Sequence, residues 1–251
     1  MKLGIMQPYF FPYLGYFSLI KHTDRWIVFD TVQYIEHGWM NRNRIIHPDK
    51  PEDMYITVPL VKHARDTKIK DIQVNRREDY REKILAQLWS AYKKRARYFP
   101  RVYALAEDVL SYDTERLSDL NVYGMKKVTE YLEIPFHYDV FSEMALMIDE
   151  VHDAGEWALN ISKALHADTY INPPGGVALF APEKFRRVGI RLEFLKAHLQ
   201  PYAQKKAQFI SGLSIIDVMM FNSPDRINEM LDDYEIFSRD TAENDSGDDK
   251  V

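Results

Sequence analysis

The chain opens on a short apolar run that breaks into a turn built on Pro8 and Pro12. The pattern predicts a buried strand over Lys2–Met6 and a helix over Leu14–Lys21. Trp26-Ile27-Val28-Phe29 is a second unbroken apolar run, ending at Asp30, and residues 54–59 read as a third strand. A helical stretch follows. Residues 79–97 place Ile84, Leu85, Leu88, Trp89 and Tyr92 on one face at helical spacing. Pro100 starts a further helix, and residues 114–132 form another, with Asp113 or Thr114 as its N-cap. Beyond it the pattern is regular: strand 136–140, helix 155–166, strand 169–171, helix 182–188, strand 190–195 and helix 214–221. Strands that alternate with helices pair in parallel. The expectation is an α/β fold over residues 1–238: a mostly parallel sheet, flanking helices, and a helical insertion at about 75–132.

Composition narrows the class. No apolar run approaches the roughly 20 residues of a membrane span, and the opening segment lacks the order of a signal peptide. With no cysteine there is no disulfide scaffold, zinc ribbon or thiol nucleophile. A soluble, cytoplasmic protein is expected. The net charge of −5 hides a polarity: residues 62–101 carry 13 basic and 5 acidic side chains, residues 225–251 carry 3 and 10. The basic stretch is either a solvated helix face or a phosphate-binding surface. The acidic end has little to bury, so 239–251 is expected to be a disordered tail. Opposite charges at the two ends also leave pairing between identical subunits open. The eight histidines are scattered without a ligand spacing, so no metal is expected, and His166 and His198 are read as structural. Signatures of P-loop, dinucleotide-binding and serine-hydrolase sites are missing.

Ligands of open α/β sheets bind beyond the carboxyl ends of the strands, and three segments fall there. Residues 7–17 follow the first strand and crowd aromatics around Gln7. They form either a plug that seats the first helix or a ligand wall whose tyrosine hydroxyls, Tyr13 and Tyr16 among them, need partners. Residues 37–44 gather His37, Trp39, Asn41, Arg42, Asn43 and Arg44. Arginine forks suit carboxylate or phosphate, amides suit sugar hydroxyls, and an indole stacks on a sugar or base. Residues 170–177 end a strand at Asn172 and turn at Gly175-Gly176, whose backbone NH groups are able to cradle an anion.

The runs Ile5-Met-Gln-Pro-Tyr-Phe-Phe-Pro-Tyr-Leu-Gly-Tyr-Phe17, Trp39-Met-Asn-Arg-Asn-Arg-Ile45, Thr57-Val-Pro-Leu60 and Tyr170-Ile-Asn-Pro-Pro-Gly-Gly176 closely resemble the WbqC-like family, in order from the first residue to about Asn222. That resemblance implies a place in bacterial O-antigen or other surface-polysaccharide biosynthesis, with glycine transfer onto a sugar the role proposed for one member. A second, shorter similarity is to the strand–turn–helix of nucleotidyltransferases and pantothenate synthetase. There Gly15 falls on the glycine of a His-x-Gly-His motif, Tyr13 and Tyr16 on its histidines, and Asn172 on the second phosphate-binding loop. Tyrosine is neutral near pH 7 and lacks the imidazole's cationic donor. ATP with magnesium is therefore a cofactor that this similarity suggests and these residues do not support.

The leading expectation is an enzyme that moves an acyl or aminoacyl (glycyl) group onto an amino-sugar of a nucleotide-linked precursor. His37 would be the base, with Gln7 polarising the carbonyl. Arg42 and Arg44 would hold phosphate or carboxylate, with Lys62 a further phosphate candidate. Asn41 and Asn43, like Gln7, would read hydroxyls or polarise the carbonyl. Trp39 would stack on a sugar or base, and Tyr13, Tyr16 and Asn172 would add substrate contacts. Gly175 and Gly176 would offer backbone NH groups, and Asp30 would orient the base or hold a ribose. The alternative is a non-catalytic sugar or nucleotide-sugar binder of the same pathway. Nucleic-acid binding by 76–101 fits least, because the sequence pI is about 5.9.

Overall fold

The computed structural model describes residues 1–77 and 79–238, so the expected tail over 239–251 lies outside the described residues. The described residues build a six-stranded sheet in the order β5-β2-β1-β6-β7-β8. Its strands are β1 (Lys2–Met6), β2 (Arg25–Val28), β5 (Tyr138–Val140), β6 (Thr169–Asn172), β7 (Arg191–Ala197) and β8 (Tyr234–Phe237). The first five run parallel, while β8 pairs antiparallel with β7. This is the α/β architecture with a mostly parallel sheet.

Side chains alternate across that sheet, as the two-residue period of a strand requires. Leu3, Ile5, Ile27, Tyr170, Leu192 and Phe194 face α5 (Glu156–Ala164) and α6 (Pro182–Arg187). Trp26, Val28, Ile171 and Leu195 face a larger core. That core is closed by α1 (Leu14–Lys21), α2 (Tyr80–Tyr92), α3 (Phe99–Leu110), α4 (Leu117–Leu132), α7 (Ile215–Phe221) and α8 (Pro224–Leu231).

Several local expectations are corrected. The strand expected over 54–59 does not join the main sheet. It is β4 (Asp53–Thr57), paired antiparallel with β3 (Arg42–Ile46) as a separate hairpin. The helix expected over 79–97 ends at Tyr92, capped at its start by the Asp79 carboxylate on the Glu82 amide. Trp89 is 47% exposed, stacked edge-on against Phe99 and Tyr103 instead of entering the core. The helix expected from Thr114 begins at Leu117, because Thr114 uses its hydroxyl on the Arg116 amide before the first turn.

Connectivity places the ligand-binding end. From β1 the chain crosses through α1 to β2 on one side, whereas β6 enters on the other side of β1. The strand order thus reverses between β1 and β6, and the crevice above their carboxyl ends is where open α/β sheets bind ligands.

Candidate functional site

A cavity of about 1060 Å³ opens at that point. Its floor is the carboxyl ends of β1 and β6, supplying Ile5, Met6, Gln7, Tyr170 and Asn172. Tyr9, Pro12 and Tyr13 come from the loop after β1, and Phe29, Val32, Ile35 and Trp39 from the segment after β2. The far wall is Trp157 and Ala158 on α5 together with the turn from Pro173 to Phe180.

The aromatic loop after β1 is both plug and wall. Phe10 and Phe11 are buried in the core, while Tyr9 and Tyr13 are partly exposed on the cavity. Polar side chains from three distant segments staple its backbone. Asn121 of α4 donates to Pro8 O (2.9 Å) and Met40 O (2.7 Å). Asn43 of β3 donates to Phe10 O (3.0 Å) and Phe11 O (2.8 Å), and the Ser214 hydroxyl donates to Phe11 O (2.8 Å). Buried carbonyls that secondary structure leaves unpaired find partners here in side-chain amides and a hydroxyl.

This accounting reassigns much of the Asn-Arg-Asn-Arg segment. Asn41 spends its amide on Tyr34 Oη and Val58 O, and Asn43 on the aromatic loop. Arg42 donates to His37 O, its guanidinium 4.5 Å above the Tyr55 ring. Arg44 pairs with Asp53 at 2.7 Å and lies 5.6 Å from the Trp39 ring, which itself stacks on Tyr55. Arg42, Tyr55, Trp39 and Arg44 form a cation–aromatic ladder that stiffens the hairpin at the cavity mouth.

Of the residues singled out from sequence, Gln7, Tyr13, Trp39, Asn43, Asn172, Gly175 and Gly176 meet at the cavity. Tyr16, Asp30, His37, Asn41, Arg42, Arg44 and Lys62 are not among its lining residues. Tyr16 is buried and donates to Gln7 O (2.8 Å). Asp30, also buried, accepts from the Ser142 amide (3.0 Å) and hydroxyl (2.6 Å), which ties the segment after β5 to the end of β2. Lys62 is exposed in the segment after β4. His37 is exposed with φ +61°, between the lining residues Ile35 and Trp39.

The glycine pair has a steric role. A Cβ on Gly176 would lie 2.0 Å from Asn172 Nδ2, so the turn closes only with glycine there. The Gly176 amide already donates to Pro173 O (3.1 Å). Asn172 in turn accepts the buried Tyr170 hydroxyl (2.9 Å) and donates to Pro173 O (3.1 Å).

What remains for a ligand is uncharged. No Asp, Glu, His, Lys or Arg is among the lining residues. The Gln7 side-chain amide and the Tyr9 and Tyr13 hydroxyls have no hydrogen-bond partner among the described residues. Burial raises the Tyr9 and Tyr13 pKa values, with Tyr9 adding to the effect at Tyr13, so both hydroxyls stay protonated as donors. Sequence reading missed Phe29, Trp157, Tyr170 and Phe180 as ligand walls. Tyr170 sat in a quoted motif, but nothing local marks Trp157, which arrives on a helix from far along the chain.

Among the described residues no helix is long and apolar enough to cross a membrane, and no group of three or more His, Asp or Glu is placed to hold a metal ion. The model of the WbqC-like protein family matches residues 7–229. An uncharacterized protein of Mycobacterium tuberculosis, Rv1507c, is 28% identical over 225 residues, covering 88% of this chain and 93% of its own. No solved structure matches the chain.

Proposed function

The chain belongs to the WbqC-like protein family, and from that premise we propose that it acts in surface-polysaccharide biosynthesis, moving an acyl or aminoacyl group onto the amine of a sugar in a nucleotide-linked precursor. The observation that carries this reading is the cavity at the β1–β6 switch point. It pairs aromatic walls with unpartnered, uncharged groups, Gln7, Tyr9 and Tyr13. Aromatic faces pack against a sugar ring, and amide and hydroxyl groups satisfy its hydroxyls.

In the step proposed, the sugar amine attacks the carbonyl carbon of an acyl thioester. A C–N bond forms, the carbonyl π electrons move to oxygen, and collapse breaks the C–S bond. The ammonium proton leaves to a base and the thiolate departs. Gln7 Nε2 and the Tyr13 hydroxyl are suited to donate to the transient oxyanion, a role in which one donor is worth about 10²–10³ in rate. Tyr13 suits this because burial keeps it protonated. His37, on the loop that carries Ile35 and Trp39, is the base this mechanism assigns. The diphosphate lies outside the cavity, whose lining offers it no cation.

A second reading, binding without turnover, is favoured by one observation: no titratable acid or base other than tyrosine lines the cavity. Mass spectrometry of a nucleotide-linked amino-sugar incubated with acetyl and glycyl thioesters separates the two. Transfer supports the enzyme, and His37→Ala should then lower the rate at least tenfold. Unchanged turnover would remove His37 from the mechanism. Gln7→Ala should lower it roughly 100-fold while leaving the melting temperature within about 1 °C, since the amide supports nothing in the protein. Saturable binding with no product selects the second reading, and no binding defeats both.

A further inference from the structure

The cavity has two unlike halves. Met6, Tyr9, Tyr13 and Val32 pack against the core on the α1 side of the sheet. Ile5, Ala158, Tyr170 and Phe180 belong to the separate cluster on the α5 side, with Phe29 and Trp157 packed against it. The cavity therefore straddles the upper edge of the sheet between β1 and β6.

The unpartnered hydroxyls stand on the α1 side. On the α5 side the Tyr170 hydroxyl is spent on Asn172 and the Asn172 amide on Pro173 O, and the wall is otherwise built of Ile5, Phe29, Trp157, Ala158 and Phe180. A sugar ring placed against Phe29, Trp157 and Phe180 would lose most of its water for few partners, and a glycyl ammonium would meet no lining carboxylate. Hydrocarbon has no such cost. The volume also exceeds what a single sugar ring needs, standing at the top of the roughly 300–1,000 Å³ range of small-molecule sites.

We infer that the α5-side half binds the hydrocarbon chain of the transferred group, so that the group is a fatty acyl chain of several carbons and not glycyl. This rests on the acyl-transfer reading of the same cavity, and it names the class of donor.

The test is calorimetric titration with methyl glycosides of an amino-sugar, N-acylated with chains of two, four, six and eight carbons. Ring-free N-acyl ethanolamines of the same lengths run beside them. Each buried methylene should tighten binding about fourfold, in both series. Ala158→Phe fills this half and should flatten the dependence on chain length. Ala158 is buried, so if that variant does not fold, Ala154→Phe at an exposed lining position gives the same readout. Sugar derivatives that bind equally at every length overturn the inference and leave the sugar reading standing. Ethanolamines that tighten with length while the ring adds nothing support the chain site and remove the sugar reading. A slope that survives both variants overturns the assignment to the α5 side, and a series without any binding overturns both proposals.

Discussion

Replacing Gly176 by Ala puts a methyl group where the Asn172 side chain already is. The added carbon would stand 2.0 Å from Asn172 Nδ2 and 2.9 Å from Phe180 Cε2. Phe180 is buried and packed against Tyr170 and Phe185, so the amide must move. In moving it gives up its bond to Pro173 O and strands the Tyr170 hydroxyl, whose residue is 2% exposed. A stranded buried hydroxyl costs about 1–3 kcal/mol and the second lost bond about 1 kcal/mol, which sums to roughly 2–4 kcal/mol. For a chain of this size that is a fall in melting temperature of about 5–15 °C by scanning calorimetry. A double-mutant cycle isolates the cause. Asn172→Ala should itself destabilise, but Gly176→Ala added to it should cost less than in the parent, because the 2.0 Å clash is gone and only the 2.9 Å approach to Phe180 remains. Equal costs in both backgrounds would show that the clash is not with Asn172. A lone Gly176→Ala that melts with the parent would refute the cradle altogether, and a loss of ligand affinity without any loss of stability would return Gly176 to anion binding.

Two further perturbations probe the scaffold around the cavity. Asp217 is fully buried and accepts from Tyr92 (2.5 Å), Tyr202 (2.6 Å) and Gln204 (2.9 Å), with burial the main cause of its raised pKa. The folded state thus holds this proton more tightly than the unfolded state, whose carboxyl titrates at about 3.9, so its stabilising share fades as pH rises above that value. Urea unfolding at pH 4 and pH 7 should show Asp217→Asn gaining on the parent at the higher pH; a shift the other way would refute the assignment. Asp30→Ala frees the Ser142 amide and hydroxyl, and should cost about 1–3 kcal/mol in the same assay without changing sugar affinity. A tenfold weaker affinity would make Asp30 a ligand contact after all.

Strands β1, β6 and β7 and helices α1, α5 and α6 were legible because continuous apolar runs and helical spacing mark elements buried by a sheet. β3 was not. Its first buried position is Asn43, held in the core by hydrogen bonds to the Phe10 and Phe11 carbonyls between two arginines, so the strand reads as a polar surface segment until Ile45 and Ile46. The short edge strand β8 passed unnoticed because it is half exposed and alternates weakly. α8 was also missed, although Ser223 and Pro224 form a proper start signal and Ile227, Met230 and Leu231 a short buried stripe. The site was half legible for a related reason. Sequence shows which residues have interesting chemistry, but not which have already spent it within the fold, as Asn41 and Asn43 have on backbone carbonyls and Arg44 on Asp53.

The staples on the aromatic loop bear on how the protein is made. The Pro8 carbonyl is held by Asn121 and the Phe11 carbonyl by Ser214, 113 and 203 positions later in the chain, whereas Asn43, which holds the Phe10 carbonyl, follows it by 33. At about 5–20 residues per second, the loop waits roughly 10–40 s for its last clasp to be synthesised. Until Asn121 is synthesised, Asn43 is the one of these three clasps available to the nascent loop. A loop translated long before Ser214 is completed only with it, and a ribosome stall before Ser214 would leave the mouth of the cavity short of its last clasp.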